Sequence, residues 1–294
     1  MNAGDTVRVR LDLSYDGTSF AGWATQPGLR TVQGTVEDGL ERVLRLAALG
    51  LAPARLTVAG RTDAGVHAYA QVAHIDLPVA QWAALPGRSD RLPEVALVER
   101  LFGVLPPDVV VHRASKAPAG FDARFSALSR RYTYRIADEP GQRDPLRRGH
   151  VLWARRPLDV VKMDEAARAL PGLRDFAAFS KPRQGATTIR ELQEFTWRRP
   201  SDGPDAGLVV ATVQADAFCH NMVRGLVGSA IAVGEGRKPA AWLAQVLATG
   251  DRAQAAAVAP AHGLALVAVH YPPDAELALR AKTIRALRSL PGSN

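Results

Sequence analysis

The segment Gly60-Arg61-Thr62-Asp63-Ala64-Gly65-Val66-His67 holds the residues whose types and spacing best suit chemistry. Two glycines bracket an arginine and an aspartate between stretches that read as strands. Glycine there permits a tight turn and lets a ligand approach the backbone closely. Two roles are open to Asp63. It can be presented to a substrate as a nucleophile or base, or it can hydrogen-bond its own backbone, as turn aspartates often do. Arg224 is the second group. It stands in Phe218-Cys219-His220-Asn221-Met222-Val223-Arg224, and no formal charge follows until Glu235. A helix that is apolar all round is buried, and a buried guanidinium needs a carboxylate from elsewhere. Asp63 is the partner this reading favours; the alternative is that Arg224 caps the helix edge and reaches water. The third group is Tyr132, within Arg130-Arg131-Tyr132-Thr133-Tyr134. Arginines track phosphates and aromatic faces stack on splayed bases. Packing in the core is the competing reading for Tyr132 and the favoured one for Tyr134.

Other chemistries lack their residues. The seven histidines, at positions 67, 74, 112, 150, 220, 262 and 270, show neither HExxH nor paired zinc-ligand spacing. There is no P-loop, no G-x-G-x-x-G after a strand and no G-x-S-x-G elbow. The single cysteine, Cys219, excludes an internal disulfide and a multi-cysteine zinc site. A reducing, cytoplasmic setting is the expectation. Lysine plus arginine number 37 against 29 acidic residues, a net charge of +8. A basic surface concentrates polyanions, so RNA or DNA is the expected partner, unless the charge merely reflects an arginine-rich proteome. No stretch approaches the roughly 18 apolar residues of a membrane helix, and the first residues lack the apolar core of a secretory signal.

Elements must hold these groups in place. A length of 294 residues suits two domains or one large composite. Val7–Tyr15 alternates as a strand. Val32, Val36, Leu40, Val43 and Ala47 recur at helical spacing behind Thr31, a suitable N-cap. Strands are expected at 55–60, 66–77 and 109–114, a loop at 77–93 and a helix at 93–105, giving the strand and helix order of a ferredoxin-like unit. In the second half a strand at 127–137 places Tyr132, Tyr134 and Ile136 on one face. A basic loop at 138–150, a helix at 163–170, a hairpin at 188–197 and 208–217, helices at 218–233 and 240–247, and an apolar strand at 263–271 follow. The tail after Pro273 is arginine-rich, with Leu and Ile at amphipathic spacing.

Taken together, these residues resemble the tRNA pseudouridine synthase A family over almost the whole chain. The matching stretches are 15–23 (Tyr-Asp-Gly-Thr-Ser-Phe-Ala-Gly-Trp), 30–34, 60–68, 121–134, 218–228 and 263–269. The Gly60 to Ala68 block is the most specific. The resemblance implies an α+β pseudouridine synthase fold, in which two RRM-like (ferredoxin-like) halves share a central, mainly antiparallel sheet with helices packed on it. Residues 1–115 are then the half carrying the catalytic loop, 116–272 the half completing the cleft, and 273–294 a basic tail. It implies a homodimer acting on tRNA, at uridines 38 to 40 of the anticodon stem-loop, without metal or organic cofactor. The family's nucleophilic aspartate falls on Asp63 and its stacking tyrosine on Tyr132. The motif arginines fall on Arg61 and Arg224. An apolar residue near the uracil falls on Leu264, with Leu266 as the alternative. The chain departs from the pattern at Ala24, in 180–187 and from Leu277 onward.

Isomerisation of uridine breaks the N1–C1′ bond and joins C5 to C1′, with no atom gained or lost, which accords with the missing cofactor motifs. Asp63 would attack C1′ or C6, or assist removal of a sugar proton on a glycal route. Two rival classes are a non-catalytic single-strand RNA-binding module, which leaves the Asp/Arg constellation unexplained, and an N-glycosidase, which requires a second carboxylate that the spacing does not supply.

Overall fold

The structure, a computed structural model, describes residues 6–183 and 185–283. The chain is of mixed α+β class and forms two compact units, one drawn from Met1–Leu128 with Val269–Arg285, the other from Ser129–Ala268.

In the first unit the strands are β1 (Thr6–Tyr15), β2 (Thr57–Val58), β3 (His67–Pro78) and β4 (Val109–Lys116). They pair in the order β4-β1-β3-β2, all antiparallel. Helix α1 (Val32–Leu44) begins where Thr31 accepts a hydrogen bond from Gly34 N–H, as an N-cap should. Its Val32, Val36, Leu40 and Leu44 are buried. Helix α3 (Pro93–Phe102) buries Ala96, Leu97 and Leu101. The odd-numbered side of β1, Val9 to Tyr15, is buried in the same core. The polar side of β1 is partly covered too. Arg8 makes two 2.7 Å contacts with Asp76, and Arg10 lies within 6 Å of the ring centres of Phe121 and Tyr271. Below them Ala59, Val72, Phe121, Ala123 and Leu277, the first residue of α7 (Leu277–Thr283), form a buried cluster.

The second unit contains β5 (Ser129–Ala137), β6 (Leu152–Trp153), β7 (Gly172–Asp175), β8 (Ile189–Arg198), β9 (Val209–Ala215) and β10 (Leu264–His270), whose last two residues belong to the first unit. The order is β10-β5-β9-β8-β7, with β6 running parallel beside β5. Helices α4 (Val160–Arg168), α5 (Met222–Gly234) and α6 (Trp242–Thr249) complete it. Two glycines let backbone segments lie directly on α5. A Cβ at Gly225 would stand 2.4 Å from Phe179 O, and one at Gly228 only 2.0 Å from Ala257 O.

Besides the short strands β6 and β7, which no expectation covered, three elements differ from the sequence expectation. The strand expected at 55–60 shrinks to two residues, because Leu56 N–H donates to the buried Glu37 carboxylate and Gly60 C=O accepts from the Gln71 amide. The expected loop at 77–93 contains helix α2 (Val79–Ala84), with Trp82 and Leu85 buried. Its prolines and glycine flank the helix rather than fill it. Helix α5 starts at Met222 rather than Phe218, since Asn221 adopts a left-handed φ of 63°. The second half of the arginine-rich tail, 284–294, lies outside the described residues.

Tyr15, at the end of β1, is buried. Its oxygen accepts from Gln71 Nε2 at 3.2 Å and shares a hydrogen bond of 2.8 Å with the Thr62 hydroxyl. Burial pushes the phenol from its ordinary 10 up to about 12, against the opposing pull of those bonds. Burial raises Tyr134 as well. Below pH 10 folded and unfolded chains both keep the Tyr15 proton; between about 10 and 12 only the unfolded chain releases it. Stability should fall across that window, by about 2–3 kcal/mol for Tyr15, and the Tyr15→Phe chain should lose less over the same range in thermal melts. A fall in Tyr15→Phe as steep as in the wild type would contradict the burial of this phenol. At Gly228, alanine brings a helix-propensity gain of about 1 kcal/mol against an overpacking cost of about 1–3 kcal/mol or more. Gly228→Ala should therefore melt several degrees lower, while Gly141→Ala, where a Cβ meets nothing within 4 Å, should melt within about 2 °C of wild type.

Candidate active site

Asp63 sits on the turn from β2 to β3. Val66 N–H donates to Asp63 C=O at 3.1 Å, closing the turn, and Gly65 has a φ of 77° that favours glycine. The segment 17–23 is laid against this turn. Trp23 N–H donates to Thr62 C=O at 3.0 Å, and Gly65 N–H to Phe20 C=O at 3.3 Å. Such an approach is possible only without side chains. A Cβ at Gly17 would lie 2.0 Å from Val66 O, and one at Gly22, itself at φ 94°, 2.9 Å from Thr62 O. Side chains buttress the same turn. Tyr15 holds Thr62, Gln71 holds Tyr15 and Gly60, and the buried His67 accepts from Gly17 N–H through Nδ1 at 3.0 Å. Asp16 Oδ1 stands 3.1 Å from that nitrogen and accepts from Thr18. The backbone is thus pinned on both sides, while Asp63 remains half-buried and Arg61 exposed. Asp63 is the single acidic residue of the 60–67 stretch.

The second unit supplies the other residues singled out by sequence. Tyr132 stands on β5 opposite Val213 and is 6% exposed, its ring meeting the edge of Phe218 at 5.2 Å and 89°. Tyr134, two residues on, is fully buried, and its hydroxyl donates to Pro260 C=O at 2.8 Å, so it packs in the core as the alternation suggested. The arginines beside Tyr132 differ from the phosphate-binding role read from their sequence. Arg130 is buried and donates to Asp216 C=O, and Arg131 pairs with Glu194 and Gln214, because the strands on which they lie bring those acceptors alongside. Arg224 falls in the first turn of α5 and is half-buried. Its Nε donates to Ala259 C=O at 2.7 Å, its Nη1 reaches Asn221 Oδ1 at 3.4 Å, and its own C=O accepts from Ala259 N–H at 3.0 Å. This two-way link fixes both the guanidinium and the 256–260 strand of chain. Leu264 opens β10 at 4% exposure, and Leu266 is fully buried.

The structure therefore puts Asp63 and Arg61 on one turn of the first unit, and Tyr132, Arg224 and Leu264 in the second. Sequence reasoning missed the supports: Tyr15, Gly17, Gln71 and His67 around the turn, Phe218 against Tyr132, and Asn221 with Ala259 around Arg224. One signal was present. Gln71 interrupts the apolar run of β3, and a wholly buried amide must be holding something.

The arrangement is a rigidly presented carboxylate in one unit, and an aromatic ring and an oriented guanidinium in the other. Residues 166–272 match the family model described as tRNA pseudouridine synthase. Over 98% of its length the chain is 57% identical to the tRNA pseudouridine synthase A of Streptomyces griseus, covering 96% of that protein. It is 58% identical to the protein of the same name from Frankia casuarinae, over 97% of each chain. The identity to that of Mycobacterium leprae is 47%, over 98% of each. Pseudouridine synthases are isomerases, and this chain belongs to the tRNA pseudouridine synthase A family.

Proposed function

We propose that the enzyme converts uridine to pseudouridine at positions 38 to 40 of the tRNA anticodon stem-loop, with Asp63 as nucleophile. The observation that carries this reading is the turn of residues 60–67, whose backbone is hydrogen-bonded to 20–23 and whose one acidic side chain is Asp63. A nucleophile must meet its target without reorganising, and a turn held at both ends satisfies that requirement. Asp63 attacks C1′ or C6 of a uridine extruded from the stack, or assists proton loss from the sugar. Uracil then rotates, C5 joins C1′, and the C5 proton leaves to water. Arg224 is a substrate-binding cation of the same reaction. Tyr132 stacks on the uracil and later helps C5 lose its proton. Arg61, exposed on the same turn, contacts the neighbouring phosphate or fills the space left by the extruded nucleotide. Leu264 helps keep water from the detached sugar.

The same reading makes the chain two RRM-like halves, residues 1–115 and 116–272, with a basic tail at 273–294. What supports it is the strand order, β4-β1-β3-β2 in one unit and β10-β5-β9-β8 in the other, each with a helix after its first and third strands. It further makes the enzyme a cytoplasmic homodimer. Among the described residues no helix is long and apolar enough to cross a membrane.

Transfer RNA carrying 5-³H-uridine tests the proposal. Wild type should release tritium to water without free uracil, and Asp63→Asn should release it more than about 10³-fold more slowly while still retaining tRNA on a filter. Equal release by the two chains would remove Asp63 from the mechanism. Tritium release should also vanish from a tRNA whose uridines at 38 to 40 are replaced by cytidine; persistent release would reassign the target.

A further inference from the structure

The chain between β5 and α4 carries charge that the reaction above does not use. Residues 143–156 contain five arginines and one aspartate. Asp144 is engaged in accepting from Leu146 N–H at 2.8 Å. Arg147 is paired with Asp205, which it shares with Arg135. The other four, Arg143, Arg148, Arg155 and Arg156, are exposed, and among the described residues none forms an ion pair. Arg143 and Arg148 donate to the carbonyls of Ala154 and Pro145, which orients them without cancelling their charge.

The base beneath these arginines is fixed. Short 3-10 turns at Pro140–Gln142 and Pro145–Arg147 shape the segment, and Gln142 Nε2 donates to Gly207 C=O at 2.8 Å. Leu152 and Trp153 pair in parallel with Ile136 and Ala137 of β5. Val151 is buried with Ala137, Leu208 and Val210. Trp153 stands two residues before the Arg155-Arg156 pair and is 39% exposed, whereas Trp23, Trp82 and Trp197 are at most 4% exposed. An ordinary solvated surface mixes charges of both signs. Here four uncompensated guanidinium groups and an indole face share one anchored segment, a composition that suits a phosphate backbone with bases beside it.

We propose that residues 143–156 form a second RNA-contact surface, in which Arg148, Arg155 and Arg156 grip substrate phosphates and Trp153 offers a stacking face. The proposal rests on tRNA being the substrate, but it concerns grip rather than chemistry, so the two fail separately. The experiment compares wild type, the triple variant Arg148→Gln/Arg155→Gln/Arg156→Gln, and Trp153→Phe, with full-length tRNA over a range of salt. The triple variant should raise both the filter-binding Kd and KM about tenfold or more at moderate salt, with kcat within about twofold of wild type. Its plot of log Kd against log salt should lose about 2–3 units of slope, the loss for three phosphate contacts. Bound tRNA should change the fluorescence of wild type, and Trp153→Phe should lack that component. Melting temperatures should match, because the replaced arginines are exposed. An unchanged Kd and salt slope overturns the proposal and leaves an acidic protein as the partner that the charge would fit. A fall in kcat with Kd unchanged overturns it equally. Filter binding reads the surface even on a chain that releases no tritium, so loss of the catalytic reading would not obscure the outcome.

Discussion

The turn bearing Asp63 exists in its shape because two other residues have no side chain. With any Cβ at Gly17 the 17–23 segment would collide with the Val66 carbonyl, and at Gly22 with that of Thr62. Remove that close approach, and the backbone bonds from Trp23 to Thr62 and from Gly65 to Phe20 go with it. A polar turn cannot then be kept in partial burial, since its peptide groups would lose partners without regaining water. The buried hydroxyl of Tyr15 and the amide of Gln71 work to the same end from the sheet side. Rigidity at Asp63 thus depends on packing by Gly17 and Gly22, distant in sequence, as well as on the nearby Gln71.

The second unit solves a related problem by the same means. Gly225 and Gly228 bring the Phe179 and Ala257 carbonyls onto α5. That proximity lets Ala259 and Arg224 exchange hydrogen bonds in both directions. A long flexible side chain such as arginine would otherwise lose considerable rotamer entropy on being oriented, of the order of 1–2 kcal/mol. Here part of that ordering is achieved by one carbonyl and one asparagine before any substrate arrives.

Much of this was legible in the sequence, and the failures have physical causes. Periodicity located α1, α3 and β1 within a few residues, because each has one buried face against a more exposed one; β3 and β9 were also found within a few residues, although both of their faces are largely buried. The cap at Thr31 was read from a hydroxyl preceding an apolar helix. Periodicity could not find α2, which is six residues long, or β7, whose residues are largely exposed. It also overextended β2, where Glu37 and Gln71 side chains replace ladder bonds, a substitution that no local pattern announces. At the candidate site, residue types drew attention to Asp63, Tyr132 and Arg224, and the family resemblance added Arg61 and Leu264. Their supports escaped notice because a glycine, a tyrosine or a glutamine signals nothing until the partner it touches is known. Arg130 and Arg131 show the converse: they read as phosphate ligands by composition, yet neighbouring strands occupy them with Asp216, Glu194 and Gln214.

The first unit draws on both ends of the chain. Tyr271 donates to Ala123 C=O at 2.7 Å, Ser126 Oγ donates to Leu277 C=O, and Leu277 itself is 1% exposed beside Ala59 and Phe121. During synthesis, residues 6–128 emerge first but lack this covering until residues 271–277 have left the ribosome. The intervening unit has its residues in hand earlier, against the usual rule that N-terminal domains mature first. A nascent chain halted before Tyr271 therefore exposes the apolar patch around Phe121, and Ala59, just ahead of the aspartate turn, gains its Leu277 neighbour only later.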